Sequence, residues 1–129
     1  MAIQTSDTVA NDGLNAIETT IGASPSLLIF SGAVPANCAA ADPAGTLATL
    51  TLPADWLANA GSRQKALAGT WSGTATGTGT PASWRIKVGA TCHMQGTAGV
   101  GSGDMNFNGT ITSGQTVTVS TFTLTDGNP

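Results

Sequence analysis

The sequence predicts a mainly β fold, namely a single-domain antiparallel β-sandwich or barrel of about seven or eight strands with a short N-terminal helix. Thr, Ala, Gly and Ser together supply 68 of the 129 residues, and this composition suits short Thr-rich strands joined by Gly-rich turns. Apolar and polar residues alternate in several stretches after Ser26, as they do in half-buried strands. We therefore expect residues 1–22 to form an N-terminal helix or arm and residues 23–129 to form one β domain.

The N-terminal helix is predicted by an apolar stripe at near-helical spacing, which consists of Val9, Leu14, Ile17 and Ile21. Ser6 or Asp7 can cap its start, and Gly22 followed by Pro25 stops it. A helix of this length is marginal alone, so the stripe must pack either on the chain's own domain or, as an arm, on a neighbouring subunit. The four residues are therefore candidate partner-binding residues.

The clearest hairpin is predicted at residues 83–97. In its first strand the apolar residues alternate with Arg85 and Lys87, so these two cations are expected on an exposed edge. In its second strand Cys92 and Met94 are predicted to share one face.

Two other stretches carry specific expectations. Residues 72–81 (SGTATGTGTP) have low complexity and predict a mobile loop or a long hairpin tip. Residues 116–125 resemble one long strand whose two apolar pairs lie on opposite faces, so we expect a β-bulge near residues 120–121.

The three Trp residues, Trp56, Trp71 and Trp84, are expected mainly as core anchors. Trp56 follows residues 53–55 (PAD) in a connection and is the Trp predicted to be exposed, so it joins the candidate partner-binding residues. A row of exposed Trp rings would instead indicate a sugar-stacking platform.

The two cysteines, Cys38 and Cys92, are too few for a disulfide framework or for a zinc site of the usual ligand number. A bridge between them would close a loop of about 55 residues and stabilise the fold by about 4 kcal/mol. Because we expect assembly in a reducing cytosol, free and partly buried thiols are favoured over the disulfide.

The sequence offers few groups for catalysis. His93 is the only His and Glu18 the only Glu, although acid–base and nucleophilic catalysis depend on such side chains. Residues 104–109 (DMNFNG) copy the opening of a calcium loop, but Gln115 stands where the bidentate Glu belongs. We expect no enzymatic activity, no catalytic residue, no metal site and no cofactor, and we predict a turn-rich β-hairpin at residues 104–109.

Charge and hydropathy exclude two kinds of partner. The formal net charge is −3 with only four Lys and Arg residues, which cannot form a large phosphate-binding face. No apolar stretch approaches the roughly 20 residues that span a bilayer. The low charge content favours instead a homo-oligomer with much of its surface in interfaces.

The start of the chain bears on location. Residues 1–7 contain no basic region, and no apolar segment of the signal-peptide type follows them. A β-rich composition of this kind is typical of proteins that work outside the cell. The combination predicts a component of a virus particle that is assembled in the host cytoplasm without a signal peptide.

Several stretches resemble a family of small structural proteins encoded by tailed bacteriophages and prophages of proteobacteria. The resemblance runs nearly from end to end, and its most specific parts are residues 35–42 (PANCAAAD) and 91–97 (TCHMQGT). The other matching stretches are residues 14–18 with 21–22, 52–56, 69–71, 101–105, and 114–119 running into 122–125. The resemblance implies a virion setting.

Within a virion, the small size and low charge favour a capsid decoration protein. Such a protein would bind the major capsid protein as a trimer and clamp the outer shell. A component of the tail tube or tail tip is the alternative. A carbohydrate-binding adhesion module on the virion is the second alternative, and it depends on exposed Trp rings.

Overall fold

The computed structural model describes residues 3–125, and within them it contains one helix and nine strands. The helix, α1, spans Asp7–Ile21. The strands are β1 (Ser26–Phe30), β2 (Thr46–Thr51), β3 (Gln64–Ala66), β4 (Trp71–Thr74), β5 (Ser83–Val88), β6 (Thr91–Val100), β7 (Met105–Phe107), β8 (Thr116–Val119) and β9 (Thr123–Thr125). The predicted mainly β fold with a short N-terminal helix is confirmed.

Helix α1 begins and ends at its predicted capping residues. The Ser6 side chain accepts a hydrogen bond from Val9 N at 3.2 Å. Gly22 ends the helix with a φ of 95°, a conformation that glycine adopts without steric cost. Of the residues described, none belongs to a helix long and apolar enough to cross a membrane.

Polar side chains on one face of α1 attach it to the segment before β3. Glu18 Oε2 accepts from Leu57 N at 3.0 Å, and Asn15 Oδ1 accepts from Ala60 N at 2.9 Å. The ammonium of Lys65, which is 1% exposed, donates to Asn15 Oδ1 at 2.8 Å and pairs with Glu18 Oε1 at 3.1 Å. The helix therefore packs on the chain's own domain, the first of the two arrangements expected from its stripe.

The main sheet has five strands in the order β2-β1-β5-β6-β7. Its pairs are antiparallel except β6 with β7, which run parallel. Only residues 101–104 join this parallel pair, and Gly101 and Gly103 there adopt φ values of 74° and 82°. The hairpin predicted at residues 104–109 is therefore wrong, because the glycine turn returns the chain alongside β6 in the same direction.

Two further strand pairs, β4–β8 and β3–β9, curl the structure around its core. The β4–β8 pair meets the main sheet at its β2 edge, where Ala48 and Ala75 form a bridge. Strand β2 therefore has a neighbour on each side, β1 on one and the continuation of β4 on the other.

Residues 72–81, predicted as a mobile loop or hairpin tip, instead form β4 and its continuation along β2. Gly77 N donates to Leu47 O at 3.1 Å. A Cβ on Gly77 would lie 2.5 Å from Thr46 O, so the two backbones approach this closely only because residue 77 has no side chain.

The long strand predicted at residues 116–125 is two strands. Strand β8 pairs with β4, and β9 pairs with β3. A break at residues 120–122 replaces the predicted bulge. In one regular strand Val119 and Phe122 would point to opposite faces. The break lets both side chains reach the core.

The core is built around the three Trp residues. Ring centroids lie 6.0 Å apart for Trp56 and Trp71, and 5.3 Å apart for Phe122 with each of Trp71 and Trp84. The expected exposure of Trp56 is wrong, because it is 0% exposed and its Nε1 donates to Gly22 O at 3.0 Å. The end of α1 covers it, and a surface platform of Trp rings is excluded.

Candidate functional surface

His93, the only imidazole of the chain, lies exposed at the rim of a shallow groove beside α1. The other residues that line this groove are Gly13, Ala16, Ile17, Thr20 and Ile21. None of them is an acid or a base that could act with the imidazole. Between residues 3 and 125, no group of three or more His, Cys, Asp or Glu side chains is placed to hold a metal ion.

The carboxylate that opens the calcium-like sequence takes part in the fold. Asp104 Oδ2 accepts from Thr97 N at 3.0 Å and from Thr97 Oγ1 at 3.2 Å. These bonds hold the turn between β6 and β7, so Asp104 positions a strand.

All four basic side chains of the protein pair with carboxylates of the same chain. The ion pairs are Arg63 with Asp7, Lys65 with Glu18, and both Arg85 and Lys87 with Asp42. The N–O distances lie between 2.7 and 3.2 Å. A polyanion would have to compete with these carboxylates for the cations.

Arg85 is buried, which corrects its predicted place on an exposed edge. The side chain is 2% exposed because residues 33–44, between β1 and β2, fold over it; we call them the Arg85 loop. Arg85 Nη1 donates to Ala40 O at 2.9 Å and Asp42 Oδ1 at 3.0 Å, and Nη2 donates to Asn37 O at 3.1 Å. Its Nε donates to Gln95 Oε1 at 3.1 Å. A guanidinium matched by this many acceptors tolerates burial.

Asp42 joins the Arg85 loop to two cations. Lys87 Nζ donates to Asp42 Oδ2 at 2.7 Å, and Arg85 Nη1 donates to Oδ1. The hydrogen bond from Lys87 is the main reason that the pKa of Asp42 lies below its ordinary value of 3.8; partial burial opposes this effect, and the Arg85 bond adds to it. An ionised carboxylate therefore holds the loop at neutral pH.

Cys38 and Cys92 form a disulfide that links the Arg85 loop to β6. Their Cα atoms lie 5.3 Å apart, within the usual range for disulfides. The prediction that Cys38 and Cys92 are free thiols is therefore wrong. That expectation came from the cell compartment, whereas the fold brings the two residues together.

A β-bulge at His93 turns Cys92 towards the loop. In the β5–β6 register Ile86 pairs with Met94 and Lys87 pairs with Cys92, which leaves one extra residue in β6. Met94 packs against the core while Cys92 bonds to the loop on the opposite side. The prediction that Cys92 and Met94 share one face is wrong, because the extra residue reverses the alternation between them.

The outer face of β2, β4 and β8 carries hydroxyl side chains and no charge. We call it the hydroxyl face, and it consists of Thr49, Thr51, Ser72, Thr74, Thr116 and Thr118. The register places Ser72 beside Thr118 and Thr74 beside Thr116, while Val117 between them is buried. Such a face can form hydrogen bonds with a partner without the cost of removing water from a charge.

The five residues predicted to bind a partner have different surroundings. Leu14, Ile21 and Trp56 are buried within the chain, and Ile17 packs half-buried against the core. Val9 is 58% exposed. Every residue of the α1 stripe except Val9 thus packs within the chain itself. None of the five residues belongs to the hydroxyl face.

Residues 35–42 and residues 91–97 meet in the structure. Residues 35–42 lie in the Arg85 loop, and residues 91–97 belong to the strand beneath it. The disulfide joins them, as does a hydrogen bond of 2.8 Å from Gln95 Nε2 to Pro35 O. The two segments thus form one structural unit.

Comparison with protein-family models, curated proteins and solved structures finds no match for this chain.

The hydroxyl face has a signal in the sequence that the prediction did not use. Thr recurs at every second position in residues 49–51, 74–80 and 116–118, between apolar or glycine residues, which is the pattern of strands with one polar face. The contacts of Arg85 with the Arg85 loop have no such signal, because they join Arg85 to residues more than 40 positions away in a segment without periodicity.

Proposed function

We propose that this protein is a non-enzymatic structural component of a tailed-phage virion, most specifically a capsid decoration protein that binds the outer shell and stabilises it. The observation that carries the proposal is the uncharged hydroxyl face, on a molecule whose four cations are all engaged internally. The family resemblance supports the virion setting.

The chemistry of the hydroxyl face favours a protein surface as its partner. Thr and Ser have short side chains, so little conformational entropy is lost when they are ordered at an interface. Their hydroxyl groups both donate and accept hydrogen bonds, as exposed peptide groups of a shell protein require. We propose the major capsid protein as this partner, with the protein bound as a trimer.

The burial of Trp56, Trp71 and Trp84 removes the feature on which the carbohydrate-binding alternative depended. The tail-tube and tail-tip alternatives do not depend on it. They differ from decoration in the number of copies per particle.

The proposed contact is tested by a charge placed on the hydroxyl face. Thr74→Arg should weaken attachment to shells depleted of the protein by at least about tenfold, because the guanidinium would be buried without a partner. Thr91→Arg is the matched control, since it makes the same change at an exposed position of β6, and it should stay within about twofold of the wild type. Sedimentation of shells with labelled protein measures both. Wild-type attachment by Thr74→Arg would reject the hydroxyl face as the contact.

The location is tested by the copy number in purified virions, measured by quantitative mass spectrometry against the major capsid protein. Decoration predicts about one copy per capsid subunit. A few copies per hundred capsid subunits would place the protein at the tail tip or a vertex, and intermediate values would favour the tail tube. Absence from the particle would reject a virion role.

A further inference from the structure

The backbone on either side of Cys38 is held by contacts that do not involve its sulfur atom. The carbonyl oxygens of Asn37 and Ala40, on either side of Cys38, both accept hydrogen bonds from Arg85. The Asn37 side chain fixes the same turn, because its Oδ1 accepts from Ala39 N at 3.0 Å and from Ala40 N at 3.1 Å. Arg85 and one local turn thus hold the backbone on both sides of Cys38.

The ends of the Arg85 loop are also held without the disulfide. Ser31 N donates to Gly45 O at 2.9 Å, and Gly32 N donates to Ala44 O at 3.0 Å. The Ser83 hydroxyl donates to Gly32 O at 2.7 Å. Closing the loop therefore requires only the segment between these contacts to be ordered, and the cost of closure grows slowly with its length.

The second cysteine is positioned by the sheet. Cys92 pairs with Lys87 across β5 and β6, and the ammonium of Lys87 binds Asp42 of the loop at 2.7 Å. The bulge at His93 directs Cys92 to this side of the sheet. Both thiols would therefore lie within bonding reach of one another in a reduced protein that kept these contacts.

We propose that the Arg85 loop closes on Arg85 before the disulfide exists, and that Arg85 is a positioning residue that brings the thiols of Cys38 and Cys92 together. The disulfide then locks a loop that is already in place. The chain consequently reaches the same fold in a reducing cytosol and in oxidising surroundings, and oxidation makes the closed loop permanent.

The oxidation step is a thiol–disulfide exchange with a small-molecule disulfide such as oxidised glutathione. One cysteine thiolate attacks this disulfide, forms a mixed disulfide and releases one glutathione thiolate. The second cysteine thiolate attacks the protein sulfur of the mixed disulfide and releases the second glutathione. The two protein thiols lose two electrons and two protons, and oxidised glutathione gains both as it becomes two molecules of glutathione.

The first test uses the wild-type protein, oxidised and then fully reduced with a phosphine. The Arg85 Nε–H, which donates to Gln95 Oε1, should give a resolved NMR signal with slowed hydrogen exchange in both states. If the signal persists in the oxidised protein but exchanges with water at an unprotected rate after reduction, the disulfide holds the loop and the proposal is overturned.

The second test measures how strongly the fold favours the disulfide in glutathione redox buffers. Arg85→Gln should lower the effective concentration of the two thiols by at least about tenfold, equivalent to about 30 mV for this two-electron couple. Arg63→Gln is the matched control, because it removes another ion-paired guanidinium, one that lies beside α1, and it should change the value by less than about twofold. Equal values for wild type and Arg85→Gln would overturn the proposal.

A third variant keeps the proposal testable if Arg85→Gln fails to fold. Gln95→Ala leaves Arg85 in place but removes the acceptor of its Nε and the donor to Pro35 O. It should lower the effective concentration of the two thiols at least about threefold, and a wild-type value would again overturn the proposal.

Arg85→Lys separates the charge of Arg85 from its shape. Restoration of most of the wild-type value by Arg85→Lys, relative to Arg85→Gln, would show that the cation itself positions the loop.

Discussion

Lys65 is buried because acceptors match the three N–H donors of its ammonium group. These acceptors are Asn15 Oδ1 at 2.8 Å, Ala58 O at 2.9 Å and Glu18 Oε1 at 3.1 Å. The Glu18 side chain is 19% exposed, so water compensates only part of its charge. Removal of the ammonium would therefore leave a poorly hydrated carboxylate without its counter-charge.

Lys65→Met should lower the free energy of unfolding by about 2 to 3 kcal/mol, since it keeps the apolar stem and removes only the charge and its hydrogen bonds. Urea titration followed by tryptophan fluorescence measures the change. Gln64→Met, at the exposed neighbouring position of β3, is the control and should stay within about 0.5 kcal/mol. Equal effects of the two variants would show that the buried ion pair gives no net stabilisation.

Asp42 makes the stability of the protein depend on pH in acid. The pKa of Asp42 in the folded protein is lowered, chiefly by the hydrogen bond from Lys87. The contribution of Asp42 to the free energy of unfolding is therefore fully present above its ordinary pKa of 3.8. The contribution is lost as the pH falls through the lowered value.

Asp42→Asn should therefore be less stable than the wild type at neutral pH, and the difference should shrink as the pH falls from 3.8 through the lowered folded-state pKa of Asp42. Urea titrations across this range measure both curves. Parallel curves for the two proteins would show that Asp42 does not carry this dependence.

Helix α1 is an integral element of the fold. The carbonyl oxygen of its C-terminal capping residue, Gly22, accepts a hydrogen bond from Trp56 Nε1. Glu18 and Asn15 of the helix accept hydrogen bonds from backbone N–H groups of the segment before β3. Without the helix, Lys65 would lose two of its three acceptors. An unsatisfied buried polar group costs about 1 to 3 kcal/mol, and several such costs approach the whole stability of a small domain.

Deletion of residues 1–22 should therefore abolish cooperative unfolding of the remaining chain, measured by thermal melting and near-ultraviolet circular dichroism. Val9→Ala is the control within the helix, because Val9 is 58% exposed, and it should stay within about 0.5 kcal/mol of the wild type. A cooperative transition of the truncated chain at the wild-type midpoint would show that the β domain folds alone.

The elements predicted well are those that local residues determine. Ser6 and Gly22 mark the ends of α1 because capping needs only neighbouring residues, and the predicted hairpin at residues 83–97 is present as β5 and β6. The side-chain directions within β6 were not predictable, because a single extra residue at His93 reverses the alternation and nothing in the local pattern reveals it.

The Arg85 loop illustrates a second limit of sequence reasoning. Arg85 alternates with apolar residues as a solvent-facing residue does, yet a segment more than 40 residues earlier in the chain covers it. Gly77 shows the same limit. Its low-complexity sequence resembles that of a mobile loop, but the structure shows that residue 77 must be glycine because its backbone lies close to Thr46 O. Long-range packing decides both cases.

At the scale of the whole molecule, the four cations attach helix α1 and the Arg85 loop to the rest of the chain. Arg63 and Lys65 pair with residues at the N-terminal helix, and Arg85 and Lys87 hold the Arg85 loop. A chain rich in Thr, Ala and Gly has few large apolar side chains with which to anchor such segments. Charged hydrogen bonds anchor them instead. The hydroxyl face is consequently left without charge.

The proposed attachment to capsids should depend only weakly on salt, because the contact uses neutral hydroxyl groups and the cations stay paired within the chain. The association constant should change by less than about threefold between 50 and 500 mM sodium chloride. Contacts of all four cations with phosphates would instead weaken binding roughly 10³- to 10⁴-fold over the same range. Sedimentation of labelled protein with depleted shells at each salt concentration measures how the association constant depends on salt. Duplex DNA serves as a parallel ligand, to which no binding is expected. A steep loss of shell binding with salt would contradict the hydroxyl-face contact and indicate that the ion pairs open when the protein binds.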